Sequence, residues 1–197
     1  MTYGMVIDLE KCTGCQACTL SCKNSNGTPP GVFRAHVERV LEGAYPDVTA
    51  VITPMLCMQC NSPLCMAACP VGAIAKDEET GVVTTNPDEC IGCKACITAC
   101  PYGARYYVDT TAGYFGDDLV EYEQVRYAEK KNGTVDKCDF CQVRGYQPAC
   151  VASCPSDARI FDTVENLQAM VKERDGYQLL PEQGTEPSVW YLPKTAI

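Results

Sequence analysis

An α+β fold of short strands and helical turns is what this sequence predicts, on three observations. Sixteen cysteines stand in four groups of four: Cys12, Cys15, Cys18 and Cys22; Cys57, Cys60, Cys65 and Cys69; Cys90, Cys93, Cys96 and Cys100; Cys138, Cys141, Cys150 and Cys154. Cys90 follows Cys12 by 78 positions and Cys138 follows Cys57 by 81, which marks a duplicated unit. Between the groups, apolar residues alternate only over short runs before a turn intervenes.

Three thiolates in seven residues followed by C-x-x-x-C-P is the run with which bacterial ferredoxins hold iron-sulfur cubanes, four thiolates to each. The count therefore fits four 4Fe-4S clusters with no sulfur left over. A disulfide framework is disfavoured, because bridges within such tight runs are strained and bridge-rich scaffolds are usually smaller. Met1 to Cys12 also lacks the basic stretch and apolar run of a secretory signal. Zinc modules present two separated pairs of ligands instead of three closely spaced thiolates. His36, the one histidine, lies outside every group and is assigned no role, which leaves little for Rieske-type or haem ligation.

At 197 residues and 46% apolar content the chain can build one domain or two small ones. Metal binding supplies the rest of the folding free energy. The net charge is −9 with neutral thiols; four oxidised clusters would take it to about −17. That argues against nucleic acid as a partner. No run approaches the ~18 apolar residues of a membrane helix, so a soluble or peripheral chain is expected. Seven cations lie in or beside the cysteine groups or the strands that leave them: Lys11, Lys23, Lys94, Arg105, Lys137, Arg144 and Arg159. Nearby positive charge raises a cluster's reduction potential.

After group one, Val32 to Val40 and Val48 to Thr53 read as a hairpin, although Val37, Val40, Leu41 and Ala44 also permit a helix. The interval of 21 positions from Cys69 to Cys90 resembles that between the halves of a two-cluster ferredoxin. Within it, Val71 to Ala75 and Val82 to Thr85 read as strands joined by the Asp77 to Gly81 turn. Groups two and three thus form an inner unit over 53–109, inserted in an outer unit of groups one and four over 1–52 and 110–178. Two-cluster ferredoxins exchange their fourth cysteines. One inner cluster then takes Cys57, Cys60, Cys65 and Cys100, and the other Cys90, Cys93, Cys96 and Cys69. The outer pair takes Cys12, Cys15, Cys18 and Cys154, then Cys138, Cys141, Cys150 and Cys22. Pro70, Pro101 and Pro155 follow the fourth cysteine and fix φ there, whereas Lys23 stands at that place in group one. Gly14 and Gly92 let backbone amides turn toward the cluster. Gly113 to Lys137, with the Asn132-Gly133 turn, is a solvated loop or a docking surface. Asp162 and Glu165 open a helix with a Val164, Leu167 and Val171 stripe, ended by Gly176. Residues 179–197 form an extended tail whose Trp190 and Tyr191 suit lying on a partner or on the chain's own body.

At these residues, from Met5-Val6-Ile7-Asp8 to Pro181-Glu182-Gln183-Gly184-Thr185, the chain resembles the four-cluster iron-sulfur subunits of the molybdopterin oxidoreductase family. The C-x-x-C-x-x-x-x-C-x-x-x-C-P of group two and the long gap from Cys141 to Cys150 carry the likeness. It points toward the subunits of polysulfide, thiosulfate and dimethyl sulfoxide reductases and of transhydroxylases and dehydroxylases. The resemblance implies nested, tandem two-cluster ferredoxin-like units that relay single electrons to or from a large molybdenum or tungsten pterin subunit, often with a membrane quinol-oxidising subunit. No residue constellation for acid-base or nucleophilic catalysis is present, so the chain is not expected to be catalytic alone. The alternatives are a polyferredoxin-like carrier, a hydrogenase or formate dehydrogenase subunit, and a structural zinc protein. A cytoplasmic site and export alongside the partner both remain open.

Overall fold

A computed structural model describes residues 1–128, 130–142 and 147–194. The order is β1 Tyr3–Asp8, α1 Ala17–Asn26, β2 Ala35–Ala44, β3 Asp47–Leu56, α2 Leu64–Ala67, β4 Ile74–Lys76 and β5 Val83–Thr85. Then come α3 Ala95–Thr98, β6 Tyr106–Val108, α4 Glu121–Tyr127, β7 Thr134–Asp136, α5 Ala149–Ala152, β8 Arg159–Thr163, α6 Val164–Glu173 and β9 Val189–Leu192. Helices α2, α3 and α5 are single turns, each carrying a ligand-type cysteine, and strands β4 to β7 are only three residues long.

The largest sheet has the order β8-β1-β9. β1 runs antiparallel to β8, with Met5 opposite Phe161, and parallel to β9, with Ile7 opposite Tyr191. Both its faces are covered, which is why Met-Val-Ile reads as an unbroken apolar run instead of an alternating one. Val6, Trp190 and Leu192 meet Leu167 and Val171 of α6 on one face. Met5, Ile7, Val189 and Tyr191 turn to the other, among Cys18, Cys22, Cys138, Cys150 and Phe140. This sheet joins the chain before group one to the chain after group four. Helix α1 lies against α5, with the Ser21 hydroxyl donating to the Ala149 carbonyl at 3.0 Å, and α2 lies against α3.

Several element boundaries differ from expectation, whereas the tail takes one of the two placements open to it: Trp190 and Tyr191 are inside this chain's own sheet, and the Tyr191 hydroxyl donates to the Pro54 carbonyl at 2.8 Å. Tyr102 also grips the tail, through Thr185 at 2.6 Å and the Leu179 carbonyl at 3.3 Å. Helix α6 starts one residue late. Asp162 is still paired with Gly4 in β8, so Thr163 is the cap and accepts from the Asn166 amide. The inner strand begins at Ile74 instead of Val71, because Gly72 turns with φ +67° after Pro70. The hairpin is longer and shifted: β2 and β3 pair over ten positions each, from Ala35 opposite Leu56 to Ala44 opposite Asp47, while Val32 to Arg34 lie outside it. Gly113 to Lys137 is not one loop. It contains α4 and β7, and the buried Glu123 carboxylate accepts the amides of Tyr114 and Val120.

An ion network ties the loop after α1 to β7. Arg34 donates to Asp136 at 2.7 Å, to Asp139 at 3.1 Å and to the Asn26 side chain at 3.1 Å, and Lys130 reaches Asp136 at 3.0 Å. Burial disfavours charge on Asp136, yet Arg34 and Lys130 hold its carboxyl below the usual carboxylate range.

Two outcomes are expected. Removing 188–197 deletes β9 and exposes both faces of the sheet, so soluble yield and iron content should collapse together. Arg34→Met leaves the half-buried Asp136 and Asp139 carboxylates each short of a partner and should destabilise the loaded protein by about 3 kcal/mol, read as a lower thermal midpoint.

Candidate metal centres

The four cysteine loops share one backbone turn. The residue before the second cysteine has positive φ in every group: Gly14 at +71°, Gln59 at +47°, Gly92 at +68° and Phe140 at +53°. That conformation aims successive amides to one side, which makes an anion-binding nest. Sequence reasoning found the two glycines and missed the other two; aligning all four runs on their second cysteine would have found them. At Gly92 the need is also steric, since a Cβ there would strike the Gly133 carbonyl. A left-handed non-glycine residue costs about 1–2 kcal/mol, and at Gln59 and Phe140 packing offsets it. The Gln59 amide accepts from the Val83 N–H at 2.8 Å and donates to the Cys138 carbonyl at 2.8 Å. Phe140 stands edge-on to Phe161, with ring centroids 5.3 Å apart.

Each fourth cysteine has neighbours from another cysteine run. Cys12 has Cys18 and Cys154 as charged neighbours, and Cys22 has Cys150 and Cys141. Cys60 has Cys57, Cys65 and Cys100, while Cys96 has Cys65, Cys90 and Cys69. Two cavities repeat the pattern. One is lined by Cys12, Cys15, Cys18 and Cys154, the other by Cys69, Cys90, Cys93 and Cys96. Among the described residues no three His, Cys, Asp or Glu side chains converge on one ion position. Further neighbours link the sets: Cys18 with Cys150, Cys57 with Cys138, and Cys65 with Cys96. Cys15 and Cys93 are the exposed thiols of the sixteen.

Electrostatics make these thiols poor free acids. Burial pushes Cys22 and Cys60 up to about 12, with neighbouring cysteines adding to the rise. Cys138, also buried, is raised well above its ordinary value by the same cause. Unligated they would be protonated and inert; a metal deprotonates a coordinating thiol outright. Donors are arranged for the anionic form. The Ala158 amide points at Cys154 at 3.2 Å, the Phe140 amide at Cys138 at 3.4 Å, and the Asn26 side chain at Cys22 at 3.5 Å. At Cys154 burial acts upward, but the Ser156, Ala158 and Arg159 amides and the Ser156 hydroxyl prevail and hold the thiol below its ordinary value.

The seven cations divide. Arg105 donates to the Cys65 sulfur at 2.9 Å, and Arg159 lines the group-one cavity with one buried nitrogen, Nη2, left unpartnered. That orphan donor fits an anionic group in the cavity. Lys23 instead caps the Thr28, Pro29 and Val32 carbonyls, Lys94 lies 3.8 Å from the Tyr107 ring centroid, and Lys137 donates to the Gln59 side chain and the Val83 carbonyl. Lys11 is exposed and Arg144 lies outside the described residues. His36 bonds Tyr106 at 3.2 Å and Glu38 at 3.4 Å, away from the cysteines. No described helix is long and apolar enough to cross a membrane.

Family comparison agrees with this chemistry. Models of 4Fe-4S dicluster domains match residues 48–115 and 82–155, and a 4Fe-4S binding domain matches 3–24. A selenate reductase subunit of Mesobacillus selenatarsenatis is 41% identical, covering 95% of this chain and 70% of that protein. The arsenate respiratory reductase iron-sulfur subunit of a Shewanella species is 36% identical over 98% of this chain and 96% of its own length. A tetrathionate reductase subunit of Salmonella typhimurium is 38% identical over 96% and 72%. With cysteine loops built for iron-sulfur clusters and relatives of this kind along nearly its whole length, the chain belongs to the iron-sulfur electron-transfer subunits of the molybdopterin oxidoreductase family.

Proposed function

We propose that the chain holds four 4Fe-4S clusters in two nested ferredoxin-like units and serves a large molybdenum or tungsten pterin subunit. The ligand sets are Cys12, Cys15, Cys18 and Cys154; Cys138, Cys141, Cys150 and Cys22; Cys57, Cys60, Cys65 and Cys100; and Cys90, Cys93, Cys96 and Cys69. The observation that carries this is the grouping of each fourth cysteine with the partner run. The inner unit is 53–109. The outer unit is 1–52 with 110–178, and β9 of the tail completes its sheet.

A cubane cluster supplies one-electron transfer at a potential set by its surroundings. The residues do the rest: thiolates hold the iron, left-handed turns present amides to sulfur, and the apolar walls exclude water. The neighbours Cys18 and Cys150, Cys138 and Cys57, and Cys65 and Cys96 support a series that follows cysteine groups one, four, two and three. The exposed Cys15 and Cys93 then mark the two ends. Such a series has one end for the catalytic subunit and one for an electron donor or acceptor, a membrane quinol-oxidising subunit among them. Selenate, arsenate and tetrathionate in the relatives' names suggest an oxyanion-reducing partner.

Anaerobically prepared protein should contain about sixteen iron and sixteen acid-labile sulfide per chain. A brown protein with about eight of each would overturn the four-cluster reading. Oxidative chelation of that iron should abolish the far-ultraviolet dichroism of the folded chain, because cluster binding is folding free energy. Exchange of fourth cysteines is tested by paramagnetic resonance: Cys22→Ser should perturb the same signal as Cys150→Ser and spare the one altered by Cys18→Ser.

A further inference from the structure

Arg105 and Arg159 occupy one position in the duplicated pattern. Each stands five residues after a fourth cysteine, in Cys100-Pro101-Tyr102-Gly103-Ala104-Arg105 and Cys154-Pro155-Ser156-Asp157-Ala158-Arg159. The corresponding residues after Cys69 and Cys22 are Ile74 and Gly27, so each unit has one such arginine and not two. Both side chains are buried, and among the described residues neither is paired with a carboxylate. A buried guanidinium lacking a counter-charge is costly. What each faces instead is sulfur, from both members of a cluster pair.

Arg105 donates through Nη2 to Cys65 at 2.9 Å and through Nη1 to the Thr85 hydroxyl at 3.1 Å, and its charge also acts on Cys57 and Cys96. Cys57 and Cys65 belong to one inner ligand set and Cys96 to the other. Arg159 lies between the outer sets in the same way. It lines the cavity of Cys12, Cys15, Cys18 and Cys154, and its charge acts on Cys150, Cys18 and Cys138. Among the described residues Nη1 has the Met5 sulfur at 3.8 Å, and Nη2 has no hydrogen-bond partner.

We propose that Arg105 and Arg159 are positioning residues of electron transfer, each a buried counter-cation that is committed to no carboxylate among the described residues and is shared by the two clusters of its unit. The inference rests on the four-cluster reading above. Reduction adds negative charge to a site, and a fixed cation in a dry interior stabilises the reduced form. Each arginine therefore raises two potentials together, and leaves the other two to its counterpart.

The test is a redox titration of the iron-replete full-length protein followed by paramagnetic resonance. Arg159→Met should lower the midpoints of two signals by about tenfold in reduction equilibrium, 59 mV for a one-electron couple, without moving the other two. Arg105→Met should do the same to the complementary pair. Unchanged midpoints, a shift in one signal only, or a uniform shift of all four would overturn the proposal. Arg→Lys at each site keeps the charge and should restore midpoints and iron content even where Met impairs loading. If Lys loads fully yet titrates like Met, or loses iron as Met does, the role is packing and the proposal fails. Wild-type protein lacking four clusters would instead sink the underlying reading, which iron and sulfide analysis shows separately.

Discussion

Gathering sixteen sulfurs that are anionic when ligated, nearly all of them buried or half-buried, within an already acidic chain is the constraint on which the rest of the structure depends. Thiolates repel one another and lose water on burial, and the raised positions of the Cys22, Cys60 and Cys138 thiols record that penalty. Iron removes it by binding the charge directly. The protein contributes only what iron cannot: amides turned inward by four left-handed residues, two buried guanidiniums, and apolar walls. Long helices and wide sheets would hinder this work. Single-turn helices and three-residue strands bring loops close around small bodies, which accounts for the modest regular structure of the fold.

Polar side chains then join the units. Gln59, in the second cysteine loop, bonds Val83 of the inner hairpin and the Cys138 carbonyl of the fourth loop, and Lys137 adds its own bond to the same side chain. One buried amide thus ties two cysteine loops to the inner hairpin. The Arg34 network does the same from outside, joining the loop after α1 to β7 next to Cys138. Rigid spacing between sites follows from such ties, and spacing governs how readily an electron moves between neighbouring centres.

The chemistry was legible in the sequence because ligand spacing is a local property: C-x-x-C runs, prolines after fourth cysteines and the repeat offsets need no tertiary knowledge. Elements fixed by distant partners were not. β9 is four residues between prolines, Val189 to Leu192, and becomes a strand only because β1 offers it an edge. Thr163 caps α6 instead of Asp162 because β8 holds Asp162 one residue longer. Gln59 and Phe140 carry no glycine-like mark of a left-handed turn, since their conformations are imposed by bonds and rings contributed from elsewhere. The arginines were visible as charges near cysteines, yet only their orientation toward sulfur separates them from Lys23, Lys94 and Lys137.

The β8-β1-β9 sheet takes its middle strand from before the first cysteine group and both neighbours from after the fourth. On the ribosome, β1 therefore has neither neighbour until Arg159–Thr163 and Val189–Leu192 have been made. The intervening segment with cysteine groups two and three is made well before that and can close first, as locally contiguous segments do. β9 then acts as a latch, completing the sheet whose one face lies against Cys18, Cys22, Cys138 and Cys150.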